Sequence, residues 1–243
     1  MSFAQYSISM TLNVFITGAS SGIGEALAMT YAVRGARLGL VARRADLLQK
    51  LRSHIAETTA SVAAVYVADV TDSTALGEAA RAHIEQHGVP DVVIACAGVS
   101  IPIEPEREGD VAVFNKVLAT NTLGTLSTFQ PFISAMKMRG NGKLVGIASV
   151  AGIRGLPGAS AYSASKAAVI AFCESLRIDL RGSGVEVLTI CPGYVRTAMA
   201  AAVAHRQPFL IDAIDFATQA VDAIDGGASY SVIPRQMRWM ARI

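Results

Sequence analysis

Short apolar runs alternate with longer amphipathic ones along most of the chain. Residues 12–17, 37–42, 62–68, 91–95, 143–148, 185–191 and 230–233 are rich in Val, Ile or Leu and are bounded by Gly, Pro, Asp or Asn, as buried strands are. Between them, residues 23–34, 45–58, 73–87, 110–139, 162–181 and 212–225 space their apolar positions with a helical period. Strand and helix in regular alternation predict right-handed crossovers. The expected fold class is therefore α/β: a doubly wound parallel sheet of about seven strands with helices on both faces. No linker, composition shift or internal repeat interrupts residues 12–243, which read as a single domain. Residues 1–11 show no clean period and read as an N-terminal extension, with Met10 as an alternative start.

Composition supports this picture and narrows it. Of 243 residues, 52% are hydrophobic and 16% charged, enough apolar material for a sheet covered on both sides. The apolar excess is largely alanine, and no window of about 18 residues lacks both charge and glycine, so no membrane span is expected. Basic and acidic residues number 21 and 19 and are interspersed, which argues against a nucleic acid partner. With no basic segment followed by an apolar run at the start, a cytoplasmic location is expected. Cys96, Cys173 and Cys191 lack any metal-ligand spacing and read as buried, reduced thiols. His54, His83, His87 and His205 form no ligand cluster either, so no metal is expected, and all four are assigned to solvated helix faces.

Candidate chemistry gathers at the ends of the strands. The first strand runs into Thr17-Gly18-Ala19-Ser20-Ser21-Gly22-Ile23-Gly24, and a helix follows. Glycines at such a turn let a pyrophosphate approach the backbone and the helix N-terminus, so Gly18, Ser20, Ser21, Gly22, Ile23 and Gly24 are candidate dinucleotide contacts. The second strand ends at Ala42-Arg43-Arg44 with no carboxylate. A carboxylate there would accept from ribose hydroxyls, whereas a guanidinium pairs with a 2′-phosphate, so Arg43 and Arg44 predict NADP(H). Asp69 and Val70 follow the third strand, and Ala97 and Gly98 follow the fourth, where adenine and its ribose would rest. Asp69 fits equally well as the cap of the helix that starts near Ser73.

The fifth strand ends at Ser149, and thirteen residues later comes Tyr162-Ser163-Ala164-Ser165-Lys166. Tyr162 and Lys166, four apart, share one side of a helix. A nearby ammonium favours the phenolate and draws the phenol toward the working range, with Ser149 placed to hold a substrate oxygen beside it. Alone, such a pair is equally an ordinary helix start.

Taken together, the TGxxxGxG turn at 17–24, Asp69, Ala97-Gly98, Asn121, Ser149, Tyr162, Lys166 and Pro192-Gly193 resemble the single-domain branch of the short-chain dehydrogenase/reductase family, in order and in spacing. The resemblance spans about 12–197 and implies a Rossmann-like domain that binds a dinucleotide and carries out catalysis. It further implies a catalytic set of Asn121, Ser149, Tyr162 and Lys166. Tyr162 would move the proton, Ser149 orient the carbonyl, and Lys166 grip the nicotinamide ribose and lower the Tyr162 pKa. Asn121 would hold a water linking Lys166 to solvent; as a residue inside a long helix it also fits a solvated position. Pro192, Gly193, Val195 and Thr197 would meet the nicotinamide. Where the family usually carries Asn-Asn-Ala-Gly this chain has Ala95-Cys96-Ala97-Gly98, and its ending after Thr197 departs from that of tetrameric members.

These features predict an oxidoreductase that transfers hydride between nicotinamide and a carbonyl or alcohol substrate, a medium-sized hydrophobic ketone or aldehyde. The pocket is expected along 99–103, 153–156, Tyr194 and 198–210, with Arg154 and Arg196 as its nearby charges. The alternative is a non-catalytic NADPH sensor, which should lack one of Ser149, Tyr162 and Lys166; all three are present. An extended-branch dehydratase or epimerase would need a larger C-terminal region. The segments 110–139 and 162–181, with the unbroken apolar run 167–172, are expected to pair in a homodimer, or further in a homotetramer.

Overall fold

The computed structural model describes residues 11–104, 106–201 and 206–240. The expected N-terminal extension, apart from residue 11, and His205 lie outside the described residues. In chain order the elements open with β1 (Asn13–Thr17), α1 (Gly22–Val33), β2 (Arg37–Ala42), α2 (Ala45–Thr58), β3 (Ala63–Val67), α3 (Ser73–His87) and β4 (Val92–Ala95). Next come α4 (Asp110–Leu118), a π-helical turn (Ala119–Leu123), α5 (Gly124–Arg139), β5 (Gly142–Ile147), α6 (Ser160–Asp179) and β6 (Val185–Pro192). The chain continues through β7 (Val195–Arg196), α7 (Ala198–Ala201), β8 (Ile211–Asp212), α8 (Ala213–Asp225), β9 (Tyr230–Ile233) and α9 (Met237–Met240).

Seven strands form one parallel sheet in the order β3-β2-β1-β4-β5-β6-β9. Each predicted strand is present to within one residue at either end. Alternate residues of the strands point to opposite faces. Val14, Ile16, Leu38 and Leu40 pack with Leu27 and Tyr31 of α1, Leu48 and Ile55 of α2, and Phe216 and Val221 of α8. On the opposite face Phe15, Val41, Val93 and Leu144 meet Leu76 of α3, Phe129 and Phe132 of α5, and Val169 of α6. The strand order turns about β1, whose neighbours are β2 and β4. Such a switch point leaves a crevice at the carboxyl ends of the strands.

Two expectations are corrected here. The predicted helix over 110–139 is three pieces: the Gly124 N–H reaches back five residues to the Ala119 carbonyl, which widens the helix locally. His83, assigned above to a solvated face, is fully buried. Gly39 of β2 makes the room: a Cβ there would stand 2.6 Å from His83 Nδ1. The ring exchanges a hydrogen bond between Nε2 and Asn13 Oδ1 at 2.9 Å and packs edge-on against Phe15. His54 is exposed and His87 half-buried.

Burial, then the nearby His87 and Arg37, lower the His83 pKa to about 4. An unfolded chain takes up a proton on this residue near pH 6.5. Between those values the unfolded state binds more protons, so stability falls with falling pH, and by pH 5 the loss amounts to about 2 kcal/mol. Denaturant unfolding at pH 7 and pH 5 should register that loss, and His83→Gln, with no ionisable ring, should flatten it. An equal pH slope in the variant would show that His83 is not its source.

Candidate active site

At the switch point lies an open cleft of about 330 Å³, and every residue singled out above as a site residue lines it except Asn121. One end is the turn between β1 and α1. Gly18 has φ +74°, and a Cβ there would stand 2.7 Å from the Ala97 backbone, so glycine lets the loop after β4 close against the turn. The N-terminal N–H groups of α1 receive no side-chain cap from Ser21. They are free to meet an anion from the cleft.

Both arginines border this end. The Arg44 guanidinium donates to Ser21 Oγ at 2.6 Å and to Ser20 Oγ at 2.9 Å, bracing the turn from the end of β2. Arg43 Nη1 lies 3.4 Å from Asp69 Oδ2. Burial raises the Asp69 pKa, but the hydrogen bonds from Thr71 and the Arg43 charge outweigh it and hold the carboxyl below its usual value. Asp69 does not cap α3. Asp72 does, accepting from the N–H groups of Thr74 and Ala75 at 3.0 Å.

The other end is built from β5, α6 and the loop after β6. Ser149 follows β5 and starts a short helical turn by accepting from Ala151 N–H at 3.1 Å. That turn lies flat against α6 because Gly152 has no side chain: a Cβ would stand 2.5 Å from the Lys166 carbonyl carbon. Tyr162 sits in the first turn of α6, which begins at Ser160, two residues earlier than predicted. Lys166 is one turn on and buried, donating from Nζ to the Ile147 carbonyl at 2.8 Å, with Nζ 5.8 Å from the centre of the Tyr162 ring.

The expected downward shift of Tyr162 is not what the structure gives. Burial pushes the phenol up, Ser149 pulls it down through a hydrogen bond, and the neighbouring Cys96 and Cys191 add to the rise. The Lys166 ammonium is itself turned to the Ile147 carbonyl. Burial lowers Lys166 to about 8, against the opposing effect of Cys96, Cys191 and Cys173. Cys173 and Cys191 are buried as expected, whereas Cys96 is only half-buried because β4 ends at Ala95 and the next residue opens on the cleft. Its thiol is pushed up to about 12 by burial, partly countered by Lys166.

Asn121 is fully buried in the π-helical turn. Its Oδ1 accepts from Val99 N–H at 2.8 Å, and its Nδ2 donates to the Val99 carbonyl and to Ser165 Oγ, each at 2.9 Å. A solvated position is thereby excluded. Ser165, also fully buried, escaped sequence reasoning, since a serine on a helix between Tyr and Lys carries no mark of burial.

The wall beyond Tyr162 includes Val99, Ser100, Val150, Leu156, Ala159, Tyr194 and Met199, with no charged group among them. Ile103 is not part of it; it packs with Val117 and Ala161 in a small separate cluster. Arg154 and Arg196 are absent from it too: Arg154 is exposed, and Arg196 pairs with Asp212 at 2.7 Å. Of the predicted 198–210 stretch, residues 198–200 line the cleft, and 202–205 lie outside the described residues.

Comparison with known proteins gives the family and the fold. The sequence model described as short chain dehydrogenase matches residues 12–208. An uncharacterized oxidoreductase of Myxococcus xanthus is 41% identical over 200 residues, covering 82% of this chain and 78% of that protein. A short-chain dehydrogenase from Sphingobium yanoikuyae, solved in complex with NADPH, superposes with a TM-score of 0.83 at 25% identity, covering 95% of this chain and 92% of that one. A short chain dehydrogenase/reductase from Burkholderia phymatum, solved in complex with NAD, shares the fold at a TM-score of 0.85 and 24% identity, covering 96% of this chain and 92% of that one. The uncapped N-terminus of α1, the close turn at Gly18 and the cleft running on to Tyr162 and Lys166 fit a nicotinamide dinucleotide. By the family match across most of its length and by the Myxococcus xanthus relative, the chain belongs to the short chain dehydrogenase family of oxidoreductases.

Proposed function

We propose that the protein is an NADP(H)-dependent oxidoreductase that reduces a hydrophobic ketone or aldehyde, or oxidises the matching alcohol. The observation that carries this reading is that Ser149, Tyr162 and Lys166 line one end of a cleft whose other end is lined by the glycine turn, Arg43 and Arg44. When bound, the nicotinamide supplies or accepts the hydride. Gly18, Ser20, Ser21, Gly22, Ile23 and Gly24 hold the pyrophosphate against the N-terminus of α1. Arg43 and Arg44 take the 2′-phosphate, and Asp69, Val70, Ala97 and Gly98 flank the adenosine. Pro192, Gly193, Val195 and Thr197 border the nicotinamide.

The side chains divide the remaining work. Ser149 orients the substrate carbonyl, and Tyr162 gives its phenolic proton to that oxygen in reduction or takes it back in oxidation. A phenol held protonated by burial at neutral pH is the form that donates. Lys166, whose depressed pKa still leaves it mainly cationic at pH 7, supplies positive charge beside the ribose and the phenol. Asn121 keeps the Val99 loop and α6 in register. The uncharged wall around Val99, Leu156, Tyr194 and Met199 favours an apolar, neutral substrate, since a charge taken there would lose hydration without a partner.

The test is NADPH oxidation followed by absorbance across a panel of ketones and aldehydes, with alcohols and NADP⁺ for the reverse direction. Turnover that depends on Tyr162 supports the reading. NADPH binding with no turnover of any member would favour the sensor. Retention of Ser149, Tyr162 and Lys166 in one cleft speaks for the enzyme.

The same reading includes a homodimer through α4, α5 and α6. Val111, Leu126, Met138 and Ile178 on these helices, with Leu123 of the π-helical turn, are exposed, an apolar set that a second copy would cover. Light scattering at micromolar concentration should give about twice the chain mass, and a larger particle would indicate the tetramer. A monomer overturns the assignment.

A further inference from the structure

We propose that Ser165 is a positioning residue that holds Asn121 in place and, through it, the wall against which Lys166 rests. The inference builds on the reading above, in which Asn121, Tyr162 and Lys166 form the reacting end of the cleft. Ser165 has no exposed surface and cannot touch a substrate. Its hydroxyl donates to the Tyr162 carbonyl at 2.7 Å, which spends the only proton it has. Its oxygen is thereby turned to accept, and it accepts from Asn121 Nδ2 at 2.9 Å.

The consequence for Asn121 is a fixed amide. Both Nδ2 protons are used, one on Ser165 Oγ and one on the Val99 carbonyl, while Oδ1 takes the Val99 N–H. Rotating the amide by a half-turn would set Oδ1 against the Val99 carbonyl, acceptor facing acceptor. Ser165 therefore reinforces one of two orientations that differ little in shape. Thr122 adds a second tie between the same elements, donating from Oγ1 to the Ser165 carbonyl at 3.1 Å.

The link matters because Asn121 and Lys166 converge on one spot. A Cβ on Gly98 would stand 3.3 Å from Asn121 Oδ1 and 3.5 Å from Lys166 Nζ, so the two polar ends flank the same backbone. The π-helical turn at Ala119–Leu123 puts Asn121 there, and the turn is anchored to α6 by the bonds that Asn121 and Thr122 make to Ser165. Without the hydroxyl, a buried amide proton loses its acceptor and the Tyr162 carbonyl loses this donor. Either relaxation moves Asn121 relative to Lys166.

The experiment measures kcat and the NADPH KM, with the best substrate of the panel, for Ser165→Ala, Ser165→Thr, Asn121→Ala and the Ser165→Ala/Asn121→Ala pair. Ser165→Ala should lower kcat on the order of tenfold, as loss of a buried hydrogen bond does, with the NADPH KM little changed. Ser165→Thr keeps the hydroxyl and should recover most of the loss. In the Asn121→Ala background the serine substitution should have no further effect on kcat, because the group it positions is gone.

Additive losses in the double variant would overturn the inference, as would unaltered kcat in Ser165→Ala. If Asn121→Ala and Tyr162→Phe lose turnover while Ser165→Ala does not, only the positioning role fails. If Asn121→Ala keeps full turnover, or if nothing in the panel is turned over, the inference falls with the reading it rests on. Should the added methyl of Ser165→Thr prevent folding, the double-variant comparison decides alone.

Discussion

Tyr162→Phe should lower turnover by at least about 100-fold, the lower end of what a positioned proton donor contributes, and leave NADPH binding nearly intact. The substitution removes the oxygen that meets Ser149 and keeps the ring that packs at the reacting end. The cofactor contacts proposed for the glycine turn, Arg43 and Arg44 lie at the other end of the cleft, so affinity for NADPH has no reason to fall. Lys166→Ala should differ by damaging both properties, since one buried ammonium serves the ribose and the phenol together. Its pKa of about 8 adds a pH signature: carbonyl reduction should weaken as pH rises past that value and the charge is lost. Cofactor affinity and turnover measured side by side separate the two variants. Near-normal turnover in Tyr162→Phe would sink the proposed mechanism while leaving the family assignment untouched.

How far such a mechanism was legible beforehand depended on the kind of signal each residue carries. Tyr162 and Lys166 are four apart on one helix, and Ser149 directly follows the apolar run at 143–148 that announces the strand ending at Ile147. Chain spacing and strand ends are local, so they survive in the sequence. Asn121, by contrast, sits in a turn whose bonds reach five residues back, and an apolar pattern with a period near 3.6 has no term for a single widened turn. Its partner Ser165 is buried only because α6 and the π-helical turn meet in space. The burial of His83 likewise depends on contacts distant in the chain. This residue shares the buried face of its helix with Leu76, Ala79 and Ala80, and what makes room for its ring is the space above Gly39, a residue 44 positions earlier. A glycine inside an otherwise apolar strand was the available sign that something approaches closely there. The small β7–β8 pair, two residues on each side, is too short for any periodic signal.

NADPH should bind more tightly than NADH by roughly 10- to 100-fold, the worth of one or two charge-assisted hydrogen bonds to a phosphate. The expectation began with Arg43 and Arg44 at a strand end that lacks a carboxylate. The two arginines have different surroundings. Arg43 is mostly exposed and loosely paired with Asp69 at 3.4 Å, a weak partner that a doubly charged phosphate readily displaces. Arg44 is tied to Ser20 and Ser21 by hydrogen bonds of 2.9 and 2.6 Å, so it also braces the turn that would hold the pyrophosphate of either cofactor. Arg43→Ala should therefore weaken NADPH and spare NADH, narrowing the gap. Arg44→Ala should weaken both, with the larger loss for NADPH, because it removes a phosphate partner and loosens the turn at once. Dissociation constants for both cofactors, read from the fluorescence of the reduced nicotinamide in the two variants and the parent, decide the matter. Equal affinities in the parent would overturn the NADP(H) assignment, and equal effects of the two substitutions on NADH would remove the bracing role given to Arg44.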